Sequence, residues 1–145
     1  MVSQPVSPQA FTFIGSSRAT PTAGSDVAGL VTTAEKSRDG KHYVLNGQKK
    51  WITQGQLATH ALVAARTGGP GHKGLTVFLL DMNTNGIFRK KMHNSGVSSS
   101  GSTFIDLDNV LVPTENVLGK VGQGFEIIMS SASSSPLSPF PFLKV

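Results

Sequence analysis

From Pro21 to Gly124 the chain is cut at short, regular intervals by turn signals, and the runs between the cuts suit strands, with no helical segment among them. Val27 to Lys36 is β-suited and stops at Ser37-Arg38-Asp39-Gly40. His42 to Leu45 and Gln48 to Thr53 flank Asn46-Gly47, the dipeptide that most strongly signals a hairpin because both residues tolerate positive φ. Ala61 to Arg66 and Leu75 to Asp81 follow, joined by the glycine-rich Gly68 to Gly74. Asn83 to Gly86 turns the chain before Ile87 to Met92 and Ser102 to Leu107. Short strands in this rhythm predict an all-β domain, a six- to eight-stranded antiparallel barrel or sandwich.

The two ends differ from this middle. Residues 1–20 are rich in Pro and Ser and read as irregular, apart from the apolar patch Phe11-Thr12-Phe13-Ile14. After Gly124, Phe125, Ile128 and Met129 fall at helical spacing, but the stripe soon meets Ser130 to Pro136. Three segments follow: 1–20 irregular, 21–124 a β-domain, and 125–145 a short C-terminal helical stub with a Ser/Pro-rich tail, so the chain reads as truncated. Met1 to Pro5 has neither the basic nor the apolar part of a signal peptide, and no apolar run reaches the roughly 20 residues of a membrane span. The expectation is a soluble intracellular protein.

Composition removes several chemistries. With no Cys, disulfides, thiolate metal sites and thiol catalysis are excluded. The net charge of +5 is mild, and its clusters, Lys49-Lys50 and Arg89-Lys90-Lys91, lack the interleaved aromatics of a single-strand binder. They read as solvated faces, or as contacts to a phosphate-bearing small ligand. The histidines, His42, His60, His72 and His93, are scattered, so no metal site is expected. Ser98 to Ser102 reads as a polar loop without the Gly-x-Ser-x-Gly elbow of a serine nucleophile. Gly69-Pro70-Gly71-His72-Lys73-Gly74 matches Gly-x-Gly-x-x-Gly, but a strand follows it where a dinucleotide site needs a helix, so it reads as a hairpin loop.

Two features point to a ligand. Trp51-Ile52-Thr53 contains the sole tryptophan. It is either a core aromatic or a plate for a planar ligand, with Thr53 on the same strand face as Trp51 because residues two apart share a face. A flavin suits that pairing, since its ring offers a π face and hydrogen-bonding edges. Ala23-Gly24-Ser25-Asp26 is either an ordinary turn or a loop that brings backbone N–H groups close to a ligand.

Pro21-Thr22-Ala23-Gly24-Ser25-Asp26, Val44 to Thr53 with its Asn-Gly-x-Lys-x-Trp-Ile-Thr core, Val112-Pro113-Thr114-Glu115-Asn116-Val117-Leu118-Gly119 and Gly122-Gln123-Gly124-Phe125 together resemble the acyl-CoA dehydrogenase family. The resemblance covers about Pro21 to Met129 and matches that family's middle domain, a β-barrel between two helical domains. It implies FAD as cofactor, bound by Trp51, Ile52, Thr53, Gly24 and Ser25, with Trp51 and Thr53 lining the ring and Ser25 also approaching an acyl-CoA substrate. It implies α,β-dehydrogenation of acyl-CoA thioesters with hydride passing to the flavin, an electron-transferring flavoprotein as acceptor, and a homo-oligomer. The chain departs from the family at Ala19 and Thr20, where the pattern has Thr and Glu, and after Met129, where it runs into Ser131-Ala132-Ser133. The family's catalytic glutamate belongs to the C-terminal helical domain. Glu126 does not match it, so no catalytic residue is assigned within these 145 residues. The alternatives are a non-catalytic fragment that keeps the barrel and a basic β-barrel nucleotide-binding module. Mitochondrion, peroxisome and cytosol all remain open.

Overall fold

Ala61 to Ala65 and Leu75 to Leu80 are nearly unbroken apolar runs, the pattern of strands covered on both faces. A computed structural model of the chain, describing residues 11–14, 30–93 and 101–133, pairs them side by side in one sheet. Its strands are β1 (Phe11–Ile14), β2 (Thr33–Lys36), β3 (His42–Ile52), β4 (His60–Arg66), β5 (Leu75–Asp81), β6 (Ile87–Lys91), β7 (Thr103–Pro113) and β8 (Val117–Leu118), followed by helix α1 (Gly124–Ser133). The eight strands lie in the order β6-β7-β3-β2-β4-β5-β8, with β1 pairing β4 off that path. The all-β expectation holds, and most pairs are antiparallel. The exceptions are at β4, where one edge takes β1 in parallel over His60 to Val63 and touches β2 in parallel at Arg66. The strand at Phe11–Ile14 falls inside the stretch read as irregular.

One core cluster sits on the inner face, where Tyr43, Leu45 and Ile52 of β3 meet Val63, Phe78, Leu80, Ile105, Leu107 and Val110. Tyr43 and Phe78 pack edge to face with centroids 5.1 Å apart. The second cluster is on the other face of β4 and β5, where Leu62, Ala64, Leu75 and Val77 meet Leu30 and Ile128. Helix α1 supplies that cover. Its docking explains Gly122-Gln123-Gly124-Phe125: a Cβ on Gly124 would stand 2.8 Å from the Leu75 carbonyl oxygen, so only glycine lets the helix start against the β5 backbone. The Gly122 N–H donates to Thr76 Oγ1 at 3.0 Å, and Phe125 lies on His72 at 5.4 Å between ring centroids. The docked side differs from the expected stripe, because Ile127 packs inward while Met129 stays 43% exposed.

Asn46-Gly47 is not a hairpin turn. β3 runs straight through it from His42 to Ile52, with the pairing to β7 slipping between Leu45 and Gly47. Leu45 faces Val110 and Gly47 faces Leu107, so β7 carries one extra residue there, a bulge at Asp108-Asn109. Asn109 takes positive φ (50°), and its N–H donates to Asn46 Oδ1 at 2.8 Å. Gly47 is needed for a different reason: its φ is +141° and a Cβ would lie 2.9 Å from Thr32 Cα. A second slip, between Lys49 and Ile52, puts the extra residue on β3 and restores the register. Trp51 lies in that slip with φ 62°.

Candidate functional site

The second bulge decides what the end of β3 shows to solvent. Tyr43, Leu45, Gly47 and Lys49 alternate onto the inner face, and one added residue keeps Ile52 inward as well. Trp51 is thereby turned out and is 60% exposed, a large aromatic surface for a ring that cores ordinarily absorb. Past Ile52 the chain turns, with Gln54 at positive φ and the N–H groups of Leu57 and Ala58 donating to the Gln54 carbonyl. Within this turn Gly55 and Ala58 are buried, while Thr53, Gln54, Gln56 and Leu57 are exposed.

Two anchors fix the platform. A Cβ on Gly55 would stand 2.9 Å from Thr103 Cβ, so the turn lies directly on the first residue of β7. Arg89 of β6 donates from Nη1 to the Gln56 carbonyl at 3.3 Å and to the Ala58 carbonyl at 3.2 Å. Part of the Arg89-Lys90-Lys91 cluster is thus a staple for the turn rather than a solvated face.

Trp51 and Thr53 are therefore both exposed, but not through strand alternation. The bulge turns out Trp51 and the turn turns out Thr53. Ile52 is a core residue, so only its backbone is open to a ligand. Gly24 and Ser25 lie outside the described residues. β2 is antiparallel to β3, so the N-terminal end of β2 points toward the Trp51 end of β3.

Arg66 and Lys49 are the structural residues that reading the sequence missed. Arg66 donates from Nε to the Leu30 carbonyl at 3.1 Å and from Nη1 to the carbonyls of Gly69 (2.7 Å) and Gly71 (3.1 Å). Carbonyl oxygens of the glycine loop thus converge on a cation, the opposite of a phosphate cradle, and β5 follows the loop. Lys49, expected on a solvated face, is wholly buried, and its ammonium donates to the Ala64 carbonyl at 3.0 Å. Burial pushes its pKa down to about 7. Extending the alternation of Tyr43 and Leu45 by four residues would have placed Lys49 inside.

The domain is strand-built, turns a large aromatic outward at a bulge and carries a helix docked through a Gly-x-Gly-Phe start. Residues 17–110 match the model of the acyl-CoA dehydrogenase middle domain. The acyl-CoA dehydrogenase apdG of Emericella nidulans is 45% identical over 119 residues, 81% of this chain and 27% of that protein. The rat mitochondrial short/branched chain specific acyl-CoA dehydrogenase is 39% identical over 111 residues, covering 75% of this chain and 25% of that protein. The structure of butyryl-CoA dehydrogenase from Megasphaera elsdenii superposes with a TM-score of 0.76 at 37% identity, over 84% of this chain and 31% of that one. The chain belongs to the acyl-CoA dehydrogenase family, and it spans about a quarter of the length of the curated relatives it matches.

Proposed function

We propose that this chain is the flavin- and acyl-thioester-facing β-domain of an acyl-CoA dehydrogenase-type oxidoreductase, with the β-domain at 21–124 and α1 opening the next element. The observation that carries the reading is Trp51, exposed yet held on a bulge between the buried Lys49 and Ile52. The residues fit FAD: an exposed aromatic and an exposed threonine lie two positions apart in the chain, next to a turn pinned by Gly55 and Arg89. When bound, FAD supplies the acceptor for the hydride that leaves the β-carbon of the acyl thioester. Trp51 stacks on the ring and excludes water from one face, and the Thr53 hydroxyl hydrogen-bonds its edge. Gly24 and Ser25 are proposed as further flavin-binding residues, with Ser25 also serving the acyl thioester. Removal of the α-proton needs a carboxylate within about 3 Å, and we assign that role to a residue outside this quarter of the relatives' length. An electron-transferring flavoprotein is the proposed acceptor, and a second copy of the chain is the proposed oligomeric partner.

The test is to titrate the purified chain with FAD and then assay an acyl-CoA series with an artificial electron acceptor. Saturable FAD binding without turnover is expected. Absence of binding at millimolar FAD, with salt-sensitive binding to an oligonucleotide instead, would favour the basic nucleotide-binding module. Turnover at about 1 s⁻¹ or faster would place the base within these residues and overturn that assignment.

A further inference from the structure

Among the described residues, Lys49 is the one charged side chain wholly removed from solvent. Its location is specific. Along the edge of β4, β1 pairs as far as Val63 and β2 takes over at Arg66, leaving a gap between them among the described residues. The Arg66 N–H points to β2 through its bond to the Thr32 carbonyl, so by alternation the Ala64 carbonyl points to the same side, into the gap. No described strand reaches it there, and Lys49 Nζ does, at 3.0 Å. Two residues further along β3 is Trp51.

Among the described residues, no second charge faces this amine. On β7, Ile105 stands opposite Lys49 while Asp106 and Asp108 alternate outward. On β4, His60 and Arg66 occupy the two ends, and on β2, Glu35 and Lys36 are exposed. β1 carries no titratable side chain. Along β3, Lys50 points out, and His42 and Tyr43 are roughly 20 Å or more away at about 3.3 Å per residue. Burial alone therefore sets the amine's proton affinity.

We propose that Lys49 is a positioning residue: its charged hydrogen bond ties the bulge carrying Trp51 and Thr53 to the gap in the β4 edge, and losing the proton weakens that tie and shifts Trp51. The proposal rests on the flavin reading only for what the bulge carries, and its test needs no flavin. In the full chain, labelled with ¹³C at lysine Cε and ¹⁵N at the tryptophan indole, NMR follows both groups from pH 5.5 to 9.5. Trp51 is the sole tryptophan, so one indole resonance reports the bulge. The expected result is a common midpoint near pH 7 for the Lys49 and Trp51 resonances. The Trp51 step should be absent in Lys49→Met and kept in His60→Gln and His93→Gln. An indole that stays fixed while Lys49 titrates, or a step that disappears with either histidine, would overturn the proposal. So would a step that survives in Lys49→Met. Should Lys49→Met fail to fold, the wild-type midpoints and the histidine variants decide. A chain that shows the coupled step but binds no FAD would refute the flavin reading and leave this one standing.

Discussion

Replacing Gly47 with Ala separates a bulged through-strand from a hairpin turn by magnitude alone. The φ of +141° is one L-residues rarely adopt, and the new Cβ would meet Thr32 Cα at 2.9 Å, Oγ1 at 3.0 Å and Cβ at 3.1 Å. The first contact is backbone and Thr32 is buried, so nothing flexible can move aside. Backbone strain contributes about 1–3 kcal/mol. Overpacking adds roughly 1–3 kcal/mol. Together about 2–6 kcal/mol is lost from a domain whose whole stability is on the order of 5–15 kcal/mol. Urea unfolding, followed at once by Trp51 emission and far-UV circular dichroism, should show the midpoint falling by about 2 M for an m-value of 1–3 kcal/mol/M. Gly69→Ala is the control, because its added Cβ meets nothing within 4 Å, and it should be neutral or slightly stabilising. A Gly47→Ala variant as stable as the wild type, or more stable by the roughly 0.5–1 kcal/mol that replacing a strand glycine ordinarily gains, would refute the close contact with Thr32.

The buried amine of Lys49 titrates near 7 in the fold against 10.5 in the open chain, so between those values only the unfolded state holds the proton. Stability should therefore rise from about pH 7 to 10 with a slope approaching about 1.4 kcal/mol per pH unit and flatten below 7, and Lys49→Met should remove the slope. Thr32 Oγ1 is buried without a hydrogen-bond partner, so Thr32→Val should raise stability by about 1 kcal/mol in the same urea assay. Gly124→Ala pushes a methyl into Leu75 and Thr76 backbone and should cost about 2 kcal/mol while weakening the docking of α1, seen as faster amide exchange in residues 124–130.

The strands buried on both faces were the most legible. Ala61 to Arg66 and Leu75 to Asp81 were readable because apolar runs bounded by glycine leave few alternatives. Asn46-Gly47 misled for a physical reason. The tolerance for positive φ that makes a hairpin turn also serves a crowded strand crossing, and the choice was made by Thr32 and Asn109, remote in sequence. The length of β7 was hidden in the same way, since the expected strand stops at Leu107 while Asp108-Asn109 is a bulge inside one longer strand. Pairing of β1 with β4 is set by long-range register that local pattern does not encode. At the site, Trp51 and Thr53 were found by residue type, while their geometry comes from a bulge and a turn rather than a shared strand face. Arg89 was missed because its partners are backbone carbonyls, which leave no trace in side-chain chemistry.

Whether the exposed Trp51 faces a flavin can be read from its own emission, since it is the sole tryptophan. The full chain is titrated with FAD to millimolar concentration, with correction for inner-filter absorption and Thr53→Ala run in parallel. Saturable quenching of Trp51 is expected, weakened by roughly 5- to 10-fold in Thr53→Ala for the loss of one hydrogen bond of about 1 kcal/mol. Emission that stays unquenched while the chain is folded, or quenching that is equally strong in Thr53→Ala, would contradict the flavin reading.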